Sequence, residues 1–209
     1  MVKKDRYEST IHALYKRNEK YFIISALIFF GSMLLGYLHL FDFLLAPMLQ
    51  QFKKSVAQGE IQLTTFSLFK NNIQILLSMY FGGILLGLAT AALLFINGAF
   101  IGYFGTQAPL GDFMLLTLPH GIFEVISLII AGGAGFRLAS FVYKFFDSLI
   151  NETWYGSSLG KLKHVFKEHS DEIKESLMLM AIAIVFLFIA AIIEANFTVA
   201  WYQYIKGSI

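Results

Sequence analysis

SLMLMAIAIVFLFIAAIIEANFTVAW, residues 176–201, runs for 26 residues with a single charge, Glu194. An apolar stretch of about 18 or more residues can cross the ~30 Å hydrocarbon core of a bilayer as a helix. The same signature recurs upstream. From Tyr21 to Phe52 the only charge is Asp42, and from Asn71 to Phe136 there are only Asp112 and Glu124. Over the whole chain 57% of residues are apolar and 14% charged, with a mean hydropathy of +0.65. A soluble domain carries roughly 25% charged residues, so a water-soluble globular enzyme is excluded. The chain reads as an all-α, polytopic helical membrane protein, a single membrane domain over residues 1–209 with the lipid bilayer as its first partner. A net charge of +2 is too small to imply a nucleic-acid partner, and with no cysteine there is no thiolate chemistry or disulfide framework.

The layout follows from charge and proline. Residues 1–20 hold Lys3, Lys4, Arg6, Lys16, Arg17 and Lys20 against three acids. Short basic flanks stay cytoplasmic, so this arm and the N-terminus are placed inside the plasma membrane. The arm reads either as a surface-lying helix or as a solvated leader. A first span over about 21–45 is expected to end at Ala46-Pro47, with an outer connection over 48–72. A second span over about 73–96 is entered through Asn71-Asn72. Gly83 and Gly87, and again Gly98 and Gly102, have the four-residue spacing that lets membrane helices approach closely.

The segment 97–119 is apolar but interrupted by glycines, Pro109 and Asp112, and reads as a broken or re-entrant span. Further spans are expected over 120–143, starting near Pro119, and over 177–201. The 137–176 connection carries six basic residues, which favours a cytoplasmic location. That requires counting 97–119 as a crossing, for about five transmembrane helices. Within 144–176 an amphipathic helix is expected after Gly160, with Leu162, Phe166 and Ile173 on one apolar face. It serves either as a docking surface or for packing onto the protein's own loops or the membrane interface.

Polar groups inside membrane helices are costly and default to functional candidates. His120 and Glu124 share a helical face four residues apart, and Ser127 continues it. Glu194 lies deep in the last span. Asn71 and Asn72 either cap the second span or bond to this face across the bundle. A histidine and carboxylates can bind a divalent metal, hold a proton-linked pair, or act as acid and base. His120, Glu124 and Glu194 are therefore the candidate metal ligands, with His120, Arg137 and Lys70 as candidate partners of Glu194. Alternatively the group is a structural polar network. Neither the two-histidine zinc-hydrolase pattern nor a phosphate loop is present. Arg137 is expected to snorkel to headgroups, and Asp112 to cap the following helix.

LPHGIFEVISLIIAGGAGFRLA (Leu118–Ala139), FKNN (Phe69–Asn72), the glycine-rich second span and AAIIEANFT (Ala190–Thr198) together resemble the stage II sporulation protein M family. The resemblance covers about residues 15–205. It implies a membrane protein of about five spans. The family's namesake works with two partners during engulfment in a complex that remodels peptidoglycan. There the hydrolytic activities belong to the partners, and the membrane protein anchors them. The Pro119-His120-Gly121 and Glu124 form is similar to the wider, non-sporulation group.

Two functions are compatible with these residues. The preferred one is a non-enzymatic scaffold that organises an envelope or membrane-remodelling complex. It has membrane or envelope protein partners or a homo-oligomeric state, no catalytic residues and no cofactor. The alternative is an intramembrane ion or metal site, a transporter or metal-dependent hydrolase built on His120, Glu124 and Glu194 with a divalent metal.

Overall fold

The computed structural model describes residues 11–207, and they are helical almost throughout. Residues 1–10 of the basic arm lie outside the described residues. The helices are α1 (Ile11–Tyr37), α2 (Asp42–Ala57), α3 (Thr65–Phe81), α4 (Leu88–Phe104), α5 (Leu110–Asn151), α6 (Ser158–Glu168), α7 (Ser170–Ile193) and α8 (Val199–Gly207). A π turn over Glu194–Thr198 joins α7 to α8 without a break in direction. Among the described residues, α1, α5 and the continuous α7–α8 rod are long and apolar enough to cross a membrane, and α4 is a shorter apolar helix. The all-helical, membrane-type reading is correct at this level.

Several expected boundaries are not. The first helix ends at Tyr37, not at residue 45, because His39 turns into the left-handed region at φ 61°. Its ring lies 3.1 Å from the carboxylate of Asp42, which opens α2. Pro47 sits inside α2 and terminates nothing. The expected connection over 48–72 is mostly helix. Thr64 caps α3 by accepting from the Ser67 amide, so Asn71 and Asn72 lie within α3 and cap nothing.

The second expected span is two helices. After a 3-10 turn over Gly82–Leu85, Leu86 and Gly87 take positive φ of 53° and 82° and reverse the chain. Gly87 is required there, since a β-carbon would also strike Phe136. The break expected across 97–119 narrows to Gly105–Pro109. Pro119 then lies inside α5 and does not begin it, and Asp112 pairs with Lys206 of α8 at 2.6 Å. The amphipathic helix after Gly160 stops at Glu168, so Ile173 belongs to α7 and not to the face of Leu162 and Phe166.

Contacts between helices set their directions. Phe29 meets Gly98 and Met33 meets Gly102, so α1 and α4 run the same way. Asn72 faces Glu124 and Met79 faces Gly135, so α3 runs with α5. Ser127 meets Ala183 and Arg137 meets Glu175, so α7 opposes α5. The α1, α4 and α7 legs thus alternate with α3 and α5.

The packing inverts soluble-protein amphipathicity. On α1 the buried stripe is Leu14, Asn18, Tyr21, Ser25, Phe29, Ser32 and Gly36, while Leu27, Phe30 and Leu34 point outward. Small residues let backbones approach where no hydrophobic gradient separates inside from outside. Gly36, Gly98 and Gly102 each sit against the backbone of the facing helix, so the α1–α4 seam has no room for a β-carbon. On α5, Gly132, Gly133 and Gly135 receive Leu94 and Ser25, Phe22, and Thr90 respectively.

Gly102→Leu is therefore expected to force α1 and α4 apart. The cost is roughly 1–3 kcal/mol or more, as for overpacking of a core. Gly31, where a β-carbon meets nothing within 4 Å, provides the control. Thermal unfolding of the detergent-solubilised chain should show a clear loss for Gly102→Leu and none for Gly31→Ala.

Candidate functional site

Two layers of polar groups lie in the bundle, one towards each end of the helices. The first layer contains most of the residues singled out in the sequence. Asn72 of α3 donates from Nδ2 to Glu124 Oε1 of α5 at 2.9 Å. Asn71 is exposed and reaches only the Asn72 side-chain oxygen, at 3.5 Å. Buried His120 shares a hydrogen bond between Nδ1 and the Thr198 hydroxyl at 3.1 Å. Fully buried Ser127 donates to the Ala183 carbonyl at 2.9 Å. Glu194, half-buried, opens the π turn.

That turn has a local cause. A π turn shifts backbone pairing by one residue and frees carbonyls that side chains must satisfy. Thr198 Oγ1 donates to the Ile193 carbonyl at 3.3 Å and Asn196 Nδ2 to the Ile192 carbonyl at 2.8 Å. Asn196 also reaches Thr65 Oγ1 at 3.2 Å, which ties the turn to the start of α3.

His120 and Glu124 thus share a helical face yet serve different neighbours. One bonds to the α7–α8 turn and the other to α3. Their donor atoms and those of Glu194 do not converge as a ligand set. Among the described residues the one His/carboxylate group of three with mutual ligand spacing is Glu152, His164 and Glu168. Of the partners considered for Glu194, His120 bonds to Thr198 instead, and Arg137 is engaged at the other end of the bundle.

The second layer was not foreseen. Buried Glu175 of α7 receives Arg17 Nε of α1 at 2.5 Å, Asn18 Nδ2 at 3.0 Å and Arg137 of α5 at 2.9 Å. Arg137 therefore does not snorkel outward. It turns into the bundle with 13% of its side chain exposed and lies over the Tyr21 ring. Lys144 pairs with Glu172 at 2.6 Å, Tyr80 with Ser176 at 3.0 Å, and Ser148 with His169 at 3.0 Å. The sequence signal is Arg137 towards the C-terminal side of one apolar run and Glu175 just before the start of another. Only the antiparallel register of α5 and α7 brings them level.

Together the layers tie helices to one another. Asn72, His120 and Glu124 each bond to a neighbouring helix or turn, and Ser127 gives its proton to a backbone carbonyl of α7. This is the chemistry of helix assembly in a medium that offers polar groups no solvent.

A model of the family described as stage II sporulation protein M matches residues 23–199. The chain belongs to that family. It is 34% identical over 143 residues to an uncharacterized protein of Methanocaldococcus jannaschii, which covers 66% of this chain and 72% of the relative. A second uncharacterized protein of that archaeon is 27% identical over 193 residues, covering 87% of this chain and 83% of its own. No solved structure matches.

Truncating Glu175 strands two guanidinium groups, whereas an apolar replacement of all three members strands none. Losing one partner of a buried pair costs about 3–5 kcal/mol. Arg17 is 34% exposed, which places the effect at about the lower end of that range. Glu175→Ala should melt far below wild type, and the triple variant Arg17→Met, Glu175→Leu, Arg137→Met should recover most of the loss. Melting curves of the purified proteins in one detergent check both.

Proposed function

We propose that this chain is a multi-pass scaffold of the plasma membrane that organises an envelope or membrane-remodelling assembly and carries no catalysis of its own. The observation that carries this reading is the placement of the intramembrane polar side chains. His120, Glu124 and Ser127 are each bonded to another helix, and Glu175 locks α1, α5 and α7 together. Such an arrangement fixes helix positions and spends these polar groups on pairing between helices.

Five alternating legs, α1, α3, α4, α5 and α7, give the scaffold its topology. The basic Arg17 end lies in the cytoplasm by the positive-inside rule. At about 1.5 Å per residue, the 42 residues of α5 span roughly 63 Å, about twice the hydrocarbon thickness. The surplus projects with α6 beyond the Arg17 layer as a cytoplasmic extension. Partners in the same assembly would meet the chain along its lipid-facing helices and at this extension.

A second reading, an intramembrane ion or metal site serving transport or hydrolysis, is favoured by one feature. The π turn that opens at Glu194 ends at Thr198, the partner of His120, and π turns recur at functional sites.

The two readings separate under isosteric change. Glu124→Gln keeps an acceptor for Asn72, and His120→Gln keeps a polar group for Thr198. The scaffold reading expects both variants to fold and to yield the wild-type set of crosslinked partners in native membranes, with the host phenotype intact. Loss of the phenotype in a well-folded Glu124→Gln variant overturns it in favour of the ion site.

Topology has its own test. The chain lacks cysteine, so single cysteines at Leu86, Thr106, Gln58 and Glu168 report sidedness directly. An impermeant maleimide applied from outside should label positions 58 and 106 and spare 86 and 168.

A further inference from the structure

Beyond the Arg17 layer, α5 ends at Asn151 and the chain folds back through a short loop into α6. The loop is firmly held. Lys161 Nζ donates to the Leu149 and Glu152 carbonyls at 2.8 and 2.6 Å. Ser157 caps α6 by accepting from the Gly160 amide, and Trp154 Nε1 donates to the Ser157 carbonyl at 3.1 Å. Trp154 also lies against Gly156 and Gly160 and stacks on His164, with ring centroids 5.2 Å apart and planes 30° apart. The stack fixes the plane of the imidazole.

Three donor groups face one another at this point. His164 Nε2 is 3.7 Å from Glu152 Oε1 and 3.9 Å from Glu168 Oε2. All three groups offer a ligand atom within 4.8 Å of the others. Neither separation is a hydrogen bond. Two carboxylates thus flank one imidazole without hydrogen-bonding to it. The nearby Lys161 ammonium is already spent on backbone carbonyls. The second carboxylate oxygen of Glu152, Oε2, is shut off from solvent and has no hydrogen-bond partner. A buried carboxylate oxygen left unpaired is costly unless a cation or donor meets it.

We propose that Glu152, His164 and Glu168 bind one divalent cation of the zinc class. Imidazole nitrogen with carboxylate oxygen suits zinc and its first-row neighbours, whereas calcium and magnesium sites are built from oxygen alone. Ligand bonds of about 2.0–2.2 Å to a tetrahedral ion set the ligand atoms roughly 3.4 Å apart. The Nε2 separations of 3.7 and 3.9 Å close to that value by small rotations of the Glu152 and Glu168 carboxylates around the stacked His164 ring. Three protein ligands leave a fourth position open to water or to a ligand from a partner. The ion would clamp α6 to the end of α5, with Trp154 positioning the histidine.

This site is separate from the intramembrane His120–Glu124 group, and its test keeps the two apart. The full-length chain, without an affinity tag, is reconstituted in nanodiscs and titrated with zinc by calorimetry and by competition with a chromophoric chelator. Wild type should bind one equivalent at low micromolar concentration or tighter. His164→Ala and Glu168→Gln, both at exposed positions, should weaken binding at least tenfold. His120→Ala and His39→Ala should bind as wild type does. In a Trp201→Phe background, Trp154 fluorescence should change with the same midpoint. Absence of stoichiometric binding overturns the proposal. Binding that survives His164→Ala, or that is lost only in His120→Ala, overturns it equally.

Discussion

The bundle depends on Glu175. Its carboxylate receives two guanidinium groups and an amide from two other helices, so α1, α5 and α7 are held in one register at that end. In water such a cluster would be weak, because each ion would lose hydration and gain little. Beside a bilayer the alternatives are poorer. A charge on a helix end must find water, headgroups or another charge, and here the geometry of three helices supplies the last. The same register carries Lys144 to Glu172 and Ser148 to His169 further along. One ion cluster therefore sets the rotation and height of helices whose apolar surfaces carry little orienting information.

Small residues carry the rest of the packing. Lipid tails are as apolar as leucine side chains, so helices gain nothing by hiding leucines from them. They gain by close approach. The glycines of α1, α4 and the 132–135 stretch of α5 bring backbones together at positions where any side chain would collide. Large apolar residues are left pointing outward, as Leu27, Phe43, Phe66 and Leu88 do. The sharp reversal at Leu86–Gly87 follows the same economy. It folds a stretch that is apolar end to end into two packed legs, each covering the small-residue face of α5.

At the opposite end, the polar layer of Asn72, Glu124, His120 and Thr198 is joined to an irregularity in the last helix. The π turn and its two compensating side chains, Asn196 and Thr198, make one unit with the start of α3. This end is tied by hydrogen bonds across helices and by the Asp112–Lys206 pair, the other by the ion pairs of Glu175 and Glu172.

The sequence by itself determined that this is a helical membrane protein, and it identified the family. Both rest on local quantities, the length of apolar runs and the residues of a few motifs. It also marked Gly98, Gly102, His120, Glu124 and Ser127 as inward-facing, because spacing on a helix needs no knowledge of the partner. Helix limits were less legible. The turn at His39 has no glycine or proline to announce it, while Pro47 and Pro119 sit inside helices that neighbours hold together. What only the tertiary structure decided was pairing. Whether Arg137 meets lipid or Glu175, whether Asn72 caps a helix or holds Glu124, and whether Glu152 meets His164 all depend on residues distant in the chain. Those distances are set by how antiparallel helices align, and no periodicity within one helix encodes that alignment.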